Sequence, residues 1–293
     1  MRHLLGHDVV EARSQDGGYT PGLAARLLLE DGSRAFLKGI ALEHPVAGTY
    51  RQEAELSAAL PEAAPVAALR WTRQVGGWVL LCFDDVADRH PALRPGSPDV
   101  AATVHAVSRL RETLTPCPLP AAPAVAEVLG PALRGWSRLT EDTPADLPAW
   151  ARRNLMALTA TESAWEAAAG GSTLVHGDIR PDNLLVREAG GEVVVVDWSY
   201  AHQGAAWIDV AALVPHLIMA GHAPAEAEAQ LADAVAWGAA PAQVLTSWAV
   251  GCAGYWEHAC RQPAPPGVPN LRGFQARAAA AALDWARYRT GWS

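Results

Sequence analysis

Apolar and polar positions alternate along the first part of the chain and then change period. Two-residue alternation predicts strands near residues 8–13, 23–29, 33–40, 66–73 and 77–82. A single helix is predicted among them, over roughly residues 50–60, because Thr49 and Gln52 form a capping-box pattern and Pro61 closes the run. Beyond this the helical period dominates, near 97–115, 148–169, 207–220, 224–237, 241–261 and 273–290. Two Pro-rich stretches, Thr115 to Pro123 and Gln262 to Pro269, cannot be helical and read as surface connections. The fold class is therefore α+β. A small β-rich lobe, residues 1–83, precedes a larger, mainly helical lobe, residues 84–293, and the crevice between lobes is the natural place for a ligand.

One break in the helical half is β-like. Leu184-Leu185-Val186 and Val193 to Val196 are short apolar runs separated by a polar stretch that contains Gly190-Gly191, a hairpin pattern. Asn183 precedes the first run and Asp197 follows the second, so a hairpin brings both to its open end. Asp178 lies just upstream, within His176-Gly177-Asp178-Ile179-Arg180-Pro181-Asp182-Asn183, on a loop stiffened by Pro181. Phosphoryl transfer needs such a set: one carboxylate to orient an attacking hydroxyl, and an Asn plus an Asp to hold Mg²⁺ on the phosphates.

The chain contains one lysine, Lys38, against many arginines. A position that stays lysine in this background calls for a compact ammonium rather than a planar fork. Lys38 falls inside the predicted strand 33–40, where a charge needs a partner or a phosphate. On the wheel of the predicted helix, Glu53 shares the inward face with Tyr50, Leu56, Ser57 and Leu60, while Arg51 and Glu55 point away. A Lys38–Glu53 pair would satisfy both groups and aim the ammonium at nucleotide phosphates.

These residues together resemble the aminoglycoside phosphotransferase family of small-molecule kinases, which share the protein-kinase-like fold, and the likeness runs nearly the whole length. The resemblance implies Asp178 as catalytic base, Asn183 and Asp197 as metal ligands, and Lys38 as the phosphate-binding lysine with Glu53 as its helix partner. It implies that His176 braces the catalytic loop and that Asp209, in Trp207-Ile208-Asp209-Val210, supports it from a following helix. Arg180 falls near the transferred phosphate. Gly17, Gly18, Tyr19 and Thr20, in a turn between the first two predicted strands, match the nucleotide lid, whose glycines allow close backbone approach to phosphate. Phe83, Asp84, Asp85 and Val86 match the hinge that meets the nucleobase. The cofactor implied is Mg²⁺, with ATP or GTP as co-substrate and a small hydroxyl-bearing acceptor.

Gly177 stands where protein kinases carry the arginine of His-Arg-Asp, and Asp197-Trp198-Ser199 is not Asp-Phe-Gly. Both argue against a protein kinase. A catalytically silent scaffold of the same fold would be expected to lack the base, the lysine or a metal ligand, and all are present here.

Composition narrows the partners. A formal net charge of -8 and the lack of a basic run argue against nucleic acid. No apolar run is long enough for a membrane span, and the N-terminus lacks the apolar core of a signal peptide. The four cysteines show no metal-site spacing, which fits a reducing, cytoplasmic setting. From Thr246 to Ser293 the only acids are Glu257 and Asp284, against Arg261, Arg272, Arg277, Arg287 and Arg289. That balance suits a neutral or acidic alcohol better than a polycation, unless Asp142, Asp146, Glu162 or Glu226 reaches the cleft. Antibiotics, sugars and amino alcohols are all acceptors that the resemblance allows.

Overall fold

The computed structural model describes residues 2–15, 22–86, 89–187, 190–265 and 268–293. The N-terminal lobe contains α1 (Arg2–Leu5), β1 (Val9–Ser14), β2 (Leu23–Leu29), β3 (Arg34–Ala41), α2 (Ala47–Ala59), β4 (Leu69–Val75) and β5 (Trp78–Asp84). Its strands form one antiparallel sheet in the order β1-β2-β3-β5-β4. Alternation decides its faces. Ala25, Leu27, Leu29, Ala35, Leu37 and Cys82 bury one side together with Leu5. Ala24, Arg26, Phe36 and Lys38 fall on the half-buried side, Ala24 opposite Lys38 and Arg26 opposite Phe36. The helix α2 seals the sheet end through Tyr50 and Ala54 against Ile40, Val79, Leu81 and Phe83.

The rest is mainly helical: α3 (Pro98–Thr113), α4 (Val125–Ala132), α5 (Gly135–Glu141), α6 (Ala149–Arg153), α7 (Leu155–Thr161), α8 (Trp207–Met219), α9 (Pro224–Ala229), α10 (Val235–Gly238), α11 (Ala242–Ala259) and α12 (Leu271–Thr290). Between α7 and α8 lie β6 (Thr173–Val175), the hairpin β7 (Leu184–Val186) and β8 (Val193–Val195), and β9 (His202–Gly204), which pairs with β6. Gly190 and Gly191 both take positive φ in the hairpin turn, as its Gly-Gly signal requires. Helices α8, α11 and α12 pack behind this β region, with Trp207, Trp248 and Trp285 buried in the shared core. Among the described residues no helix is long and apolar enough to cross a membrane.

Several boundaries differ from those the sequence suggests, each for a local reason. Helix α2 begins at Ala47 with Val46 at its N-cap and no side-chain cap, so the Thr49–Gln52 capping box is not used. Strand β5 runs on to Asp84, because Asp84 still pairs with Ala35 on β3. The expected helix 148–169 breaks at Asn154, whose side chain donates to the Trp150 carbonyl and competes with the helical ladder. The expected helix 224–237 divides into α9 and α10, joined by tight three-residue turns at Leu231, Ala232 and Ala234. Helices α4 and α5 escape a sequence reading because Gly130, Pro131 and Gly135 look like breakers. At Gly135 the glycine serves contact instead: a Cβ there would lie 1.9 Å from the Gly254 carbonyl oxygen of α11.

Helix α8 is buried along almost its whole length, and its Asp209 accepts from backbone N–H groups of the loop that follows β6. Its His216 stacks on Phe274 of α12 and is hydrogen-bonded to the Ile179 backbone. Burial pushes the His216 imidazole down to about 4, Arg180 pushes the same way, and the Ile179 backbone opposes. A histidine depressed in the folded state is neutral above the unfolded value of about 6.5, and its contribution is lost as pH falls from there toward 4. Urea denaturation of wild type and His216→Gln across pH 7.5 to 4 should therefore show wild type losing stability relative to the variant, by up to about 3 kcal/mol. A difference independent of pH would contradict a neutral buried imidazole.

Candidate active site

A cavity of about 260 Å³ separates the half-buried face of the sheet from the β7–β8 hairpin. Lys38, Glu53, Asn183, Asp197, Arg180 and Asp182 line one end, and Phe83, Asp84, Asp85 and Val86 line the other. The expected lid residues Gly17, Gly18, Tyr19 and Thr20 lie outside the described residues.

Lys38 organises the first end. Its Nζ donates to both carboxylate oxygens of Glu53 at 2.7 Å and to Asp197 Oδ1 at 3.2 Å, and it stands 5.6 Å from the Tyr50 ring centroid. Burial alone would favour the neutral amine. The Glu53 and Asp197 carboxylates outweigh it, and the net effect raises the ammonium above its ordinary value. Burial pushes Glu53 up, against the downward pull of Lys38. For Asp197 burial is the largest influence, but Lys38 and the Ser199 hydroxyl overcome it and hold the group below the usual carboxylate range. Ser199 Oγ donates to Asp197 Oδ1 at 3.0 Å.

Asp197 sits at φ 65°, ψ 67°, a left-handed conformation that costs energy for a non-glycine residue and that Asp tolerates better than most. The turn swings the chain out of β8, so that the carboxylate meets Lys38 while Trp198 enters the core. Asn183 stands at the start of β7, tied to the same hairpin end through Val196 N–H, which donates to the Asn183 carbonyl at 2.9 Å. Its Nδ2 donates to the Asp178 carbonyl at 2.9 Å and to Asp178 Oδ2 at 3.1 Å. Two acceptors fix the orientation of the amide and leave Oδ1 as its ligating atom.

Asp178 is thus joined to Asn183 on one side and to Arg180 on the other, whose Nε lies 3.4 Å from Asp178 Oδ2 and 3.2 Å from Asp182 Oδ1. Burial pushes Asp178 up to about 7. Arg180 opposes this, Asp197 and Asp182 add to it, and the Asn183 hydrogen bond opposes. The four groups singled out from the sequence fall into two contacting pairs, Lys38–Asp197 and Asn183–Asp178, and Lys38, Asn183 and Asp197 line the same cavity.

A rigid layer lies beneath. His176 Nε2 bonds the Val196 carbonyl at 3.0 Å, and its Nδ1 receives the Asp178 N–H at 3.2 Å. Only the neutral Nε2–H tautomer serves both, and burial pushes this imidazole down to about 4. The Asp209 carboxylate accepts from His176 N–H at 2.7 Å and from Gly177 N–H at 3.0 Å, and burial raises it to about 6 against those two bonds. Gly177 has φ +76°, and a Cβ on it would lie 2.6 Å from the Tyr200 carbonyl oxygen. That is why no arginine stands between His176 and Asp178.

Residues that the sequence did not single out also line the cavity: Arg26, Tyr50, His90, Asp182 and Ser199. Arg26 carries a signal in retrospect, since it alternates with buried Ala25 and Leu27 on β2 and so must face the crevice. Of the acids considered for the acceptor, three are committed elsewhere. Glu162 is buried and accepts from Trp136 N–H, Ser137 N–H and Ser137 Oγ at the start of α5. Asp146 pairs with Arg261 at 2.5 Å, and Glu226 accepts from Ala223 N–H. Asp142 is exposed at the end of α5.

Oxygen donors from Asn183 and Asp197 suit a hard divalent cation that completes its shell with phosphate and water. Among the described residues no cluster of three or more His, Cys, Asp or Glu side chains could hold a metal by itself. The pair therefore fits Mg²⁺ shared with a nucleotide rather than a metal caged by protein.

The chain matches the model of the phosphotransferase enzyme family over residues 23–245. Solved structures share its fold at low identity. The aminoglycoside phosphotransferase from Alicyclobacillus acidocaldarius subsp. acidocaldarius DSM 446 superposes with a TM-score of 0.59 at 14% identity, over 97% of this chain and 93% of that one. A thermostable mutant of aminoglycoside phosphotransferase APH(4)-Ia, in ternary complex with ADP and hygromycin B, gives 0.61 at 13% identity over 97% of each chain. Amicoumacin kinase in complex with AMP-PNP and Ca²⁺ gives 0.54 at 14% identity over 93% and 88%. No curated protein matches the sequence.

The Asp209 bridge yields a direct expectation. Asp209→Ala leaves two buried backbone N–H groups without their acceptor, each loss worth about 1–3 kcal/mol. The unfolding free energy in urea at pH 7 should fall by about 2 kcal/mol or more. An unchanged midpoint would remove Asp209 from the support of the loop.

Proposed function

The chain belongs to the phosphotransferase enzyme family, and from that premise we propose that it transfers the γ-phosphate of ATP or GTP to a hydroxyl of a small molecule. The carrying observation is a pair of contact runs, Glu53–Lys38–Asp197 and Asn183–Asp178–Arg180, all of whose members but Asp178 line a single cavity. Residues 1–83 act as the nucleotide-binding lobe and 84–293 as the catalytic and acceptor-binding lobe, with the hinge at 83–86.

In this reading Lys38, held charged by two carboxylates, meets the nucleotide phosphates, and Glu53 fixes its direction. Asn183 Oδ1 and the Asp197 carboxylate hold Mg²⁺, which when bound neutralises phosphate charge. Asp178 accepts the hydrogen bond of the acceptor hydroxyl, orients its lone pair toward the phosphorus and takes its proton as transfer proceeds. Arg180, beside Asp178, meets the transferred group. His176 and Asp209 keep the loop geometry through backbone bonds and touch no substrate. Catalysis is then mainly positioning and charge stabilisation.

The acceptor is a neutral or acidic alcohol, an antibiotic or a metabolite such as a sugar. Committed carboxylates at Glu162, Asp146 and Glu226 support this over a polycationic acceptor. Tyr255 supports it too: burial raises its phenol first, Asp178 adds to the rise, and Arg180 and Arg272 oppose. A phenol and the Arg180 guanidinium therefore share the electrostatic neighbourhood of Asp178.

A phosphate-release and ATP-consumption screen over aminoglycosides, peptide antibiotics, nucleosides, sugars and amino alcohols tests the activity. With the acceptor found, Asp178→Asn should lower kcat by about 10³-fold or more while Mg·nucleotide affinity stays within about two-fold. Normal turnover by that variant would remove Asp178 as base. Asp197→Ala should instead weaken Mg·nucleotide binding by at least about ten-fold in calorimetry, and unchanged binding would refute its role as ligand.

A further inference from the structure

Charged groups along the nucleotide cavity answer one another, Lys38 with Glu53 and Asp197 and, at the far end, Arg26 with Asp85 at 3.3 Å. Asp178 is placed differently. Its side chain is 28% exposed, yet it does not line that cavity, whereas Arg180, Asp182 and Asn183 all do. The open side of the base therefore faces elsewhere. Two tyrosines flank it there, and neither lines the nucleotide cavity. Tyr200 is 54% exposed, and its backbone abuts the residue before the base: a Cβ on Gly177 would lie 2.6 Å from the Tyr200 carbonyl oxygen. Tyr255 of α11 is tied to the same loop by a run of rings. It packs edge-on against Trp256 with centroids 4.6 Å apart, Trp256 packs edge-on against Phe274 at 5.8 Å, and Phe274 stacks on His216 at 6.3 Å. His216 is in turn hydrogen-bonded to the backbone of Ile179, next to Asp178. Burial raises the Tyr255 phenol, and Asp178 and Tyr200 add to the rise. The Tyr255 hydroxyl has no hydrogen-bond partner among the described residues.

We propose that Tyr200 and Tyr255 form the acceptor cleft and select a neutral, sugar-like ring alcohol, whose apolar ring face packs on the phenols while one hydroxyl meets Tyr255 and another meets Asp178. This deepens the phosphotransferase reading and rests on it. Aromatic side chains offer a flat, rigid surface at little cost in rotamer freedom. A phenol hydroxyl both donates and accepts, so it matches a sugar hydroxyl in either sense. The faces of such a ring carry C–H groups and its edge carries hydroxyls, which fits two rings and one unpartnered phenol. Charge excludes the alternatives. Arg180 is shared between Asp178 and Asp182, and Arg272 donates to the Ala259 and Pro263 carbonyls and to Gln275 Oε1. An acidic acceptor thus meets the Asp178 carboxylate with both nearby guanidinium groups already engaged. A cationic acceptor would have to pair with Asp178 itself, the group that must receive the reacting hydroxyl.

Saturation-transfer NMR on the intact protein with saturating Mg·AMP-PNP tests this with three probes built on one ring: para-nitrophenyl glucoside, the glucuronide and the glucosaminide. The aglycone is common to all three, so only the charge differs. Wild type should bind the neutral glucoside at least about ten-fold more tightly than either charged analogue. Tyr255→Phe, which keeps the ring on Trp256, should weaken the glucoside about three- to ten-fold through the lost hydrogen bond. Tyr255→Ala should weaken it by at least about ten-fold, and Tyr200→Ala by at least about three-fold. Mg·AMP-PNP affinity should stay within about two-fold in all three variants, because neither tyrosine lines the nucleotide cavity. If Tyr255→Ala loses the nucleotide as well, Tyr255→Phe alone decides. A charged probe that binds as tightly as the neutral one would overturn the proposal, as would glucoside affinity unchanged in Tyr255→Phe. So would a wild-type protein that binds Mg·AMP-PNP and not the glucoside; the phosphotransferase reading survives each of these results. Failure to bind Mg·AMP-PNP at all would overturn that reading and the acceptor cleft with it.

Discussion

One ammonium group ties the molecule together. Lys38 comes from β3, Glu53 from α2, and Asp197 from the turn after β8, in the other lobe. A buried ion pair adds little to stability on balance, but removing one partner leaves an uncompensated charge at a cost of several kcal/mol. The three groups therefore fix one another: each is tolerable in the crevice only because the other two are there. An arginine would serve badly. Its donors lie in one plane, whereas Lys38 places one compact charge against both oxygens of Glu53 and against Asp197. In a chain whose other basic side chains are arginine, this geometry explains the single lysine.

The second lobe answers this precision with backbone bonds. The loop from His176 to Asn183 is held by His176, which links the Val196 carbonyl to the Asp178 N–H, and by Asp209 of buried α8, which accepts from the His176 and Gly177 N–H groups of the loop. Neutral and charged groups have separate roles in this layer. His176 must stay neutral to accept and donate at once, and burial ensures it. Asp209 has two N–H donors to offset the desolvation of its charge, and the offset is partial. Helix α8 carries this load because most of its other residues are apolar and buried, so the loop is referred to the core rather than to the surface.

How much of this the sequence discloses depends on sequence distance. Asp178, Asn183 and Asp197 are readable because a short hairpin closes them locally. Lys38 and Glu53 are readable because strand and helix periodicity orient each without knowledge of the other. The Arg26–Asp85 contact spans the length of three strands and a helix, and no local rule pairs the two. The same holds for Glu162, whose carboxylate looks available in sequence and is consumed by α5. Gly135 misleads for a different reason: its local propensity says break, while close approach to α11 requires it inside a helix. Thr49 and Gln52 mislead in the opposite sense, a good cap pattern bypassed because α2 starts three residues earlier, at Ala47, and lays Ala47 and Tyr50 against the sheet.

The charges around the phosphate end also set the order in which it can be filled. Among the described residues, Glu53 and Asp197 pair with Lys38, and Asp178 and Asp182 with Arg180. Two of those carboxylates are already spent on Lys38, and Arg180 is shared by the other two. Glu53, Asp182 and Asp197 thus outnumber Lys38 and Arg180 along the cavity wall, where the proposed reading lays the phosphates. At separations of a few ångströms and an effective dielectric near 20, each uncompensated like-charge pair costs on the order of several kcal/mol. The lysine cannot repay that for a triphosphate alone. On the proposed reading the residues favour a nucleotide that arrives with its divalent cation, whose charge would offset Asp197 and which the neutral Asn183 amide would also ligate. On the proposed reading Asp197, which contacts the lysine, would also hold the metal, so a change at that one side chain would move phosphate affinity and metal dependence together.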